Sequence, residues 1–372
     1  RERYIETLKF GNPDRIPFEP GGPRESTRER WYSEGMPREG HWMQHLKEAL
    51  DLPEDCGGGW GPGPGVNFRM IPEFEEKILE HRDGHYIVQD WKGNVCEISD
   101  EYGVEYLRNA IDFVTRAWLK LPVENREDWQ EMRERYEPDD PARYPDDWEE
   151  RVAELQDREH MSNIVVHGPF WQLREWLGFE GLCMAFIDDP DWVHEMIEFW
   201  TEFVSTTMER ALEAGVVDRI FINEDMAYKE KPMLGPARSR EFLLPCWERW
   251  TREAHEAGVT LVDMDSDGRV DELIPVWIEA GMDVTDPLEV AAGCDIVALR
   301  EKHGHDIAFR QGVDKRAIAA GGEVIEEEMR RVEPVVRDGG YIPGCDHGVP
   351  HDISWPNFQH YCRILAEMTG RL

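Results

Sequence analysis

The sequence predicts an α/β protein folded as a (β/α)8 TIM barrel with an irregular N-terminal third, and three observations carry that prediction. From about residue 160 onward, short β-type runs alternate with longer stretches of helical periodicity, the pattern of repeated βα units around a parallel sheet. Each run is apolar in its body and ends in polar, reactive side chains, which a barrel would gather on one face. No G-x-G-x-x-G follows the first strand, which weakens an open doubly wound sheet, the runner-up. With 372 residues the chain is read as a single barrel domain, 1–372.

The elements follow in order. "RERYIETLKF" has the pattern of an amphipathic first helix and lacks the long apolar core of a secretory signal. "IPFEP" (16–20) is suited to an early strand, and "HYIVQDWKGNVCEIS" (85–99) reads as a hairpin turning at "KGN". Six strands follow: "SNIVVH" from Ser162, "VDRIFINED" from Val217, "VTLVDMD" from Val259, "MDVTDPLE" from Met282, "DIAFRQGVD" from Asp306 and "GGYIPGCDH" from Gly339. In the long helix between the first two, Trp192, Met196, Ile197, Trp200 and Val204 recur at three- and four-residue steps, ahead of Gly215 as a C-terminal cap. Six late strands and one or two early ones approach eight.

Composition narrows the function classes. A formal charge of −36 with no basic block repels phosphate backbones and anionic membrane surfaces, so nucleic acid and membrane are not expected partners. Much of the acid lies in 137–159, read as a solvated helical face with its loop. Seven cysteines, an odd number with no CxxC, fit a reducing cytosol better than a disulfide framework, and no apolar run has the length of a membrane span.

The strand ends carry His167, then Asn223 to Asp225, then Asp265 and Asp267, then Asp286 and Glu289, then Arg310 and Asp314, then Asp346 and His347. Asp263, Asp265, Asp267 and Gly268 match the opening of an EF-hand loop, but its twelfth position, a bidentate Glu, is Ile274, and the entering segment forms strand where a helix is required. Strand period gives the better account, because residues 263, 265 and 267 then share one face. Like charges so close raise one another's pKa, share a proton, hold a cation or meet a basic ligand, and Asp263, earliest in the strand, is the structural one.

The segments "RERYIETLKFGNPDRIPFE", "EDMAYKEKPMLGPARSREFLLPCWERW", "DSDGRVDELIPVWIEAGMDVTDPLE", "GVDKRAIAAG" and "GGYIPGCDHGVPHDISWPNF" together resemble the uroporphyrinogen decarboxylase superfamily of (β/α)8 barrels, which includes cobalamin-dependent methyltransferases. The resemblance implies an enzyme nearer the methyltransferase branch. There, a His-x-Cys-Gly and a later Cys-Gly-x-Pro hold zinc; these fall on Asp265-Ser-Asp267-Gly268 and on His347, so Asp265, Asp267 and His347 are the expected ligands of a divalent metal, Zn or else Mn or Fe(II). It also implies a corrinoid carried by a partner protein. The arginine-rich loop of the true decarboxylases is replaced by "EPGGPRESTRERW", and an acidic mouth would repel an octacarboxylate, so haem synthesis is not expected.

Glu224, Asp225 and His167 are the candidate catalytic groups, as general acid or base. Arg24, Tyr228 and Arg310 are the candidate substrate-binding residues for a small molecule. The competing readings are a carboxy-lyase acting on a small substrate, or a barrel in which the acids bind a cationic or polyhydroxy ligand with no metal.

Overall fold

The computed structural model describes residues 1–57, 59–109 and 114–372. The chain divides into two compact units: Arg1–Pro64, Glu149–Val165 and Ala211–Leu372 form the first, Gly65–Trp148 and Val166–Arg210 the second.

The second unit holds an antiparallel meander, β1 (Lys77–Arg82), β2 (His85–Gln89), β3 (Val95–Ser99) and β4 (Ala117–Lys120). β2 and β3 are the predicted hairpin, with Val88 opposite Cys96 and Gly93 turning at φ 88°. One face buries Val88, Cys96 and Ile98 with Val104, Leu107 and Val114. Elsewhere in this unit Trp129, Tyr136, Trp176, Trp200 and Phe203 pack as an aromatic core. The acidic stretch 137–159 does contain the expected surface helix, Trp148–Gln156, but its Arg143 is fully buried. Arg143 donates to the carbonyls of Glu137, Asn67, Arg69 and Arg135 and lies over the Phe203 ring. A cation enclosed by peptide oxygens is a long-range arrangement, and charge pattern alone carries no sign of it.

A six-stranded parallel sheet, all in the first unit except the last two residues of its first strand, runs in sequential order: β5 (Asn163–His167), β6 (Arg219–Asn223), β7 (Leu261–Asp265), β8 (Val284–Asp286), β9 (Ala308–Arg310) and β10 (Tyr341–Ile342). All six predicted strands occur, each beginning one or two residues later than its run. Helices such as Leu244–Glu256 and Glu323–Asp338 turn one apolar stripe inward, Trp247, Trp250 and Ala254 in the first, Ile325, Met329, Val332 and Val336 in the second.

Two extended segments occupy the remaining places of an eightfold barrel. Residues around Pro20 run beside the chain that follows β10, with Cys345 N donating to Pro20 O at 3.4 Å and a parallel bridge joining Pro23 to Val349. Residues around Trp60 run beside the entry to β5, with Met161 N donating to Gly59 O at 2.6 Å. The Trp60 indole donates to Glu19, linking the two segments. "IPFEP", expected as a strand, forms none: its Pro20 O accepts from Cys345 N and the nearest bridge lies beyond it at Pro23. Pro17, Pro20 and Pro23 have no N–H to give.

Side chains inside this arrangement form layers, because parallel register sends alternate residues of every strand to the same side. The lowest layer is apolar: Met161, Leu261, Val284, Ala308 and Ile342, closed by Tyr4 and Leu8 from the first helix. Above it, one strand step on, Asp263, Asp286 and Arg310 meet Arg219 and Glu19. The register pairs Asn223 with Asp265 and Asp265 with Asp286 at the top.

Candidate active site

The floor of the site is an ion cluster. Arg310 donates to Asp286 at 2.8 Å and Glu19 at 3.0 Å and reaches Asp263 at 3.4 Å; Arg219 pairs with Asp263 and stands 3.9 Å from Asp286. The Arg219 and Arg310 guanidiniums lie 4.7 and 5.0 Å from the Trp60 ring centre. Burial pushes the Asp286 carboxyl up, against the pull of Arg310; burial pushes Glu19 up as well, but there Arg310 and Trp60 prevail and hold it low. Arg310, expected to bind substrate, has its terminal nitrogens committed to this cluster. Asp263 is fully buried among its arginines and structural, as its position early in the strand suggested.

The rim is built where β6 hooks over β7. Glu224 N and Asp225 N both donate to Asp265 O, Met226 N donates to Ser266 Oγ, and Arg269 N donates to Tyr228 O. Gly268 sits beneath this loop at φ 83°, and an added Cβ would stand 2.5 Å from Ala227 O, so the Gly of the acidic motif is a packing requirement. Glu224 is fully buried and accepts from the Trp247 indole at 2.8 Å, which turns it toward the helix layer. Asp225 bears on Asp265 electrostatically, and Tyr228 is exposed on the loop.

Asp265 is the most perturbed acid of the rim. Burial first, then the charges of Asp286, Asp267, Asp263 and Asp225, hold its pKa well above the ordinary carboxylate range and favour its protonated form. Asp267, the next acid on that face, accepts from His347 Nε2 at 3.3 Å. The other ring nitrogen, Nδ1, stands 3.4 Å from Arg24 Nη2. Asp267 is the main cause that raises the His347 pKa. The two contacts of the ring pull apart here: Arg24, which can only donate, needs Nδ1 unprotonated, whereas Asp267 favours the imidazolium. The Asp267 contact survives protonation and the Arg24 contact does not.

Glu289, half-buried, braces the turn, accepting from Gly268 N at 2.9 Å and Lys315 Nζ at 3.0 Å. Asp346 takes Val290 N and Lys315 N and is raised by burial to about 6. Cys345, two residues before His347, is fully buried beside Gly21, with its thiol pushed up by burial to about 12. His167 belongs to the second unit. Its Nδ1 faces Gln172 Oε1 at 3.3 Å, its carbonyl accepts from the Trp200 indole, and burial lowers its pKa to about 4.

The structure thus brings Arg24, Asp225, Asp265, Asp267 and His347 to one rim. Sequence reasoning passed over Glu19, Arg219 and Lys315 as parts of the site. Lys315 had a signal, since "GVDKRAIAAG" puts it just beyond a strand end; Glu19 and Arg219 precede theirs and had none. As for a metal, no three His, Cys, Asp or Glu side chains among the described residues are gathered to hold one. The His347 nitrogens face Asp267 and a guanidinium. The expected ligand set does not fit a divalent ion.

No curated protein matches the chain. Among solved structures, a methyltransferase from Methanosarcina mazei covers 98% of this chain and 97% of its own, at 13% identity and TM-score 0.56, a likeness of fold. A protein described as a vitamin-B12-independent methionine synthase from Listeria monocytogenes (11% identity, 57% of this chain and 65% of that one, TM-score 0.31) and an archaeal fructose-1,6-bisphosphate aldolase (14%, 43% and 61%, TM-score 0.25) overlap too weakly to bear on the fold. The uroporphyrinogen decarboxylase (URO-D) family model matches residues 155–368, more than half of the chain and all of β5 to β10, and the chain belongs to that family.

Proposed function

We propose that the chain removes a methyl group from a small methylated substrate and passes it to a corrinoid carried by a partner protein, with the rim residues of the first unit managing the proton. The observation that supports this reading is Asp265, a carboxyl that burial and neighbouring acids shift toward its protonated form, next to the Arg24, His347 and Asp267 chain. When a methyl group leaves an oxygen, nitrogen or sulfur for a reduced corrinoid, the departing atom gains an electron pair and needs one proton. Asp265 is suited to deliver it, a role in which general acids contribute about 10²–10⁴-fold. Asp225 adds to the burial and the other acids that raise the Asp265 pKa, and Tyr228 on the loop is suited to contact the substrate. No step is routed through a metal.

One observation favours a second reading. Among the described residues Arg24 makes no ion pair with a carboxylate, and a guanidinium on the same rim as Asp265 also suits a small carboxylic acid losing CO2, with Asp265 protonating the carbanion. The test supplies reduced cobalamin with a panel of methyl ethers, methyl thioethers and methylamines and follows methylcobalamin by its light-sensitive absorbance. Turnover that Asp265→Asn reduces by about 10² or more supports methyl transfer. If no member of the panel is demethylated, the reading fails, and CO2 release from small carboxylic acids would support the second one.

A further inference from the structure

We propose that Arg24 keeps this site free of metal, taking over the fixed positive charge that a metal ion would bring to His347 and Asp267. The inference stands apart from methyl transfer and rests on proton counting at one imidazole.

A neutral imidazole carries a single N–H. To ligate a metal through Nε2, His347 must move that hydrogen to Nδ1, where metal-bound histidines normally find a carboxylate or carbonyl acceptor. Nδ1 of His347 instead faces Arg24 Nη2 at 3.4 Å, a group with hydrogens to give and no lone pair to accept. Metal at Nε2 would set two donors against each other beside a permanent cation. Metal at Nδ1 would have to stand where the guanidinium stands. The arrangement that suits Arg24 is the Nε2–H tautomer, donating to Asp267.

Arg24 is held at this point by its backbone. Arg24 N donates to Val349 O at 3.2 Å, Val349 N donates to Gly22 O at 2.9 Å, and Thr27 Oγ1 donates to Val349 O at 2.7 Å. The parallel bridge between Pro23 and Val349 fixes the two strands of chain in register, two residues from His347. The side chain then passes Gly348, where an added Cβ would meet Arg24 Nε at 3.7 Å. Arg24 precedes the helix Glu25–Ser33 without capping it through its side chain, so replacing that side chain spares the helix end. Asp267 and His347 meanwhile stand 3.3 Å apart with ligand-capable atoms, and the guanidinium beside them opposes their use.

The experiment uses the full chain as wild type, Arg24→Met, which keeps the length of the side chain without its charge, and Arg24→Met/His347→Ala. Each is stripped with chelator, checked for folding by circular dichroism, and offered Zn(II) and Co(II). Bound metal is read by elemental analysis and, for cobalt, by its visible absorption; 15N NMR reads the His347 tautomer in the wild type. The expected result is no stoichiometric metal and an Nε2–H imidazole in the wild type, about one equivalent in Arg24→Met, and loss of it in the double variant. If Arg24→Met is misfolded, Arg24→Gln replaces it in the same comparison. Stoichiometric metal in the wild type overturns the proposal, as does a charge-removed variant that gains none. Both outcomes are read without any turnover, so they leave the methyl-transfer reading to its own test.

Discussion

Replacing Arg310 with Met should destabilise the protein by about 3–5 kcal/mol, the usual cost of removing one partner from a buried ion pair. The upper half of that range is expected. Arg310 serves Asp286 at 2.8 Å, Glu19 at 3.0 Å and Asp263 at 3.4 Å, and its loss leaves Arg219 beside the buried Asp263 and Asp286 while the half-buried Glu19 loses its guanidinium. With an unfolding entropy of about 2.1 cal/mol/K per residue, a 372-residue chain melting as one unit loses about 5 °C for 4 kcal/mol. The pH dependence separates lost charge pairing from lost packing. Without Arg310 the lowered folded-state pKa of Glu19 rises and the raised one of Asp286 moves further up, and a carboxyl raised above its unfolded value of about 4 contributes stability that is lost as pH rises. Urea denaturation at pH 5 and pH 8 should therefore show the larger deficit at pH 8. Adding Asp286→Asn should recover part of it, because one uncompensated charge is gone. An equal deficit at both pH values, or one below about 1 kcal/mol, would refute the assignment of this cluster as a charge-balanced floor.

Two further outcomes follow from the rim. Asp267→Asn should bring the His347 pKa down toward its ordinary value, since the Asp267 contact is the main cause that raises it; imidazole proton shifts followed against pH check this, and an unchanged midpoint would contradict it. Glu224→Ala should cost about 1–3 kcal/mol by leaving the buried Trp247 indole without its acceptor while cobalamin-linked turnover persists; equilibrium unfolding and the methyl-transfer assay separate the two effects.

The fold was legible because its signals are local. Six strands with apolar bodies, the hairpin at Gly93 and the helix before Gly215 each declare themselves within a dozen residues, and each occurs. Asp265, Asp267 and His347 were legible as rim positions for the same reason, lying at or just past strand ends. What the sequence withheld is which charge meets which. Arg24 and His347 are 323 residues apart, and Glu19 and Arg310 are 291 apart. No periodicity relates such pairs, so Arg310 read as a substrate anchor where the structure commits it to the floor, and Glu224 as a rim acid where it serves Trp247. Strand period sends residues 219 and 310 inward, but only the register decides that they arrive at the same depth.

Depth also explains why the aspartates at 263 and 265 of β7 and at 267 just beyond it are compensated in three different ways. The cost of a carboxylate grows as water is removed from it, and the cheapest compensation changes along the way. Asp263, fully buried, is compensated by two guanidiniums that are themselves enclosed by Trp60, Glu19 and Asp286. One step up, Asp265 has no arginine of its own, and burial with four acids around it shifts it toward its protonated form. At the rim the Asp267 side chain is 45% exposed, and water with one imidazole N–H is enough. The middle position is the consequential one. A proton held by burial and by the repulsion of neighbouring acids passes to a basic atom that develops at the mouth, so reactivity belongs to the residue whose surroundings leave its charge uncompensated.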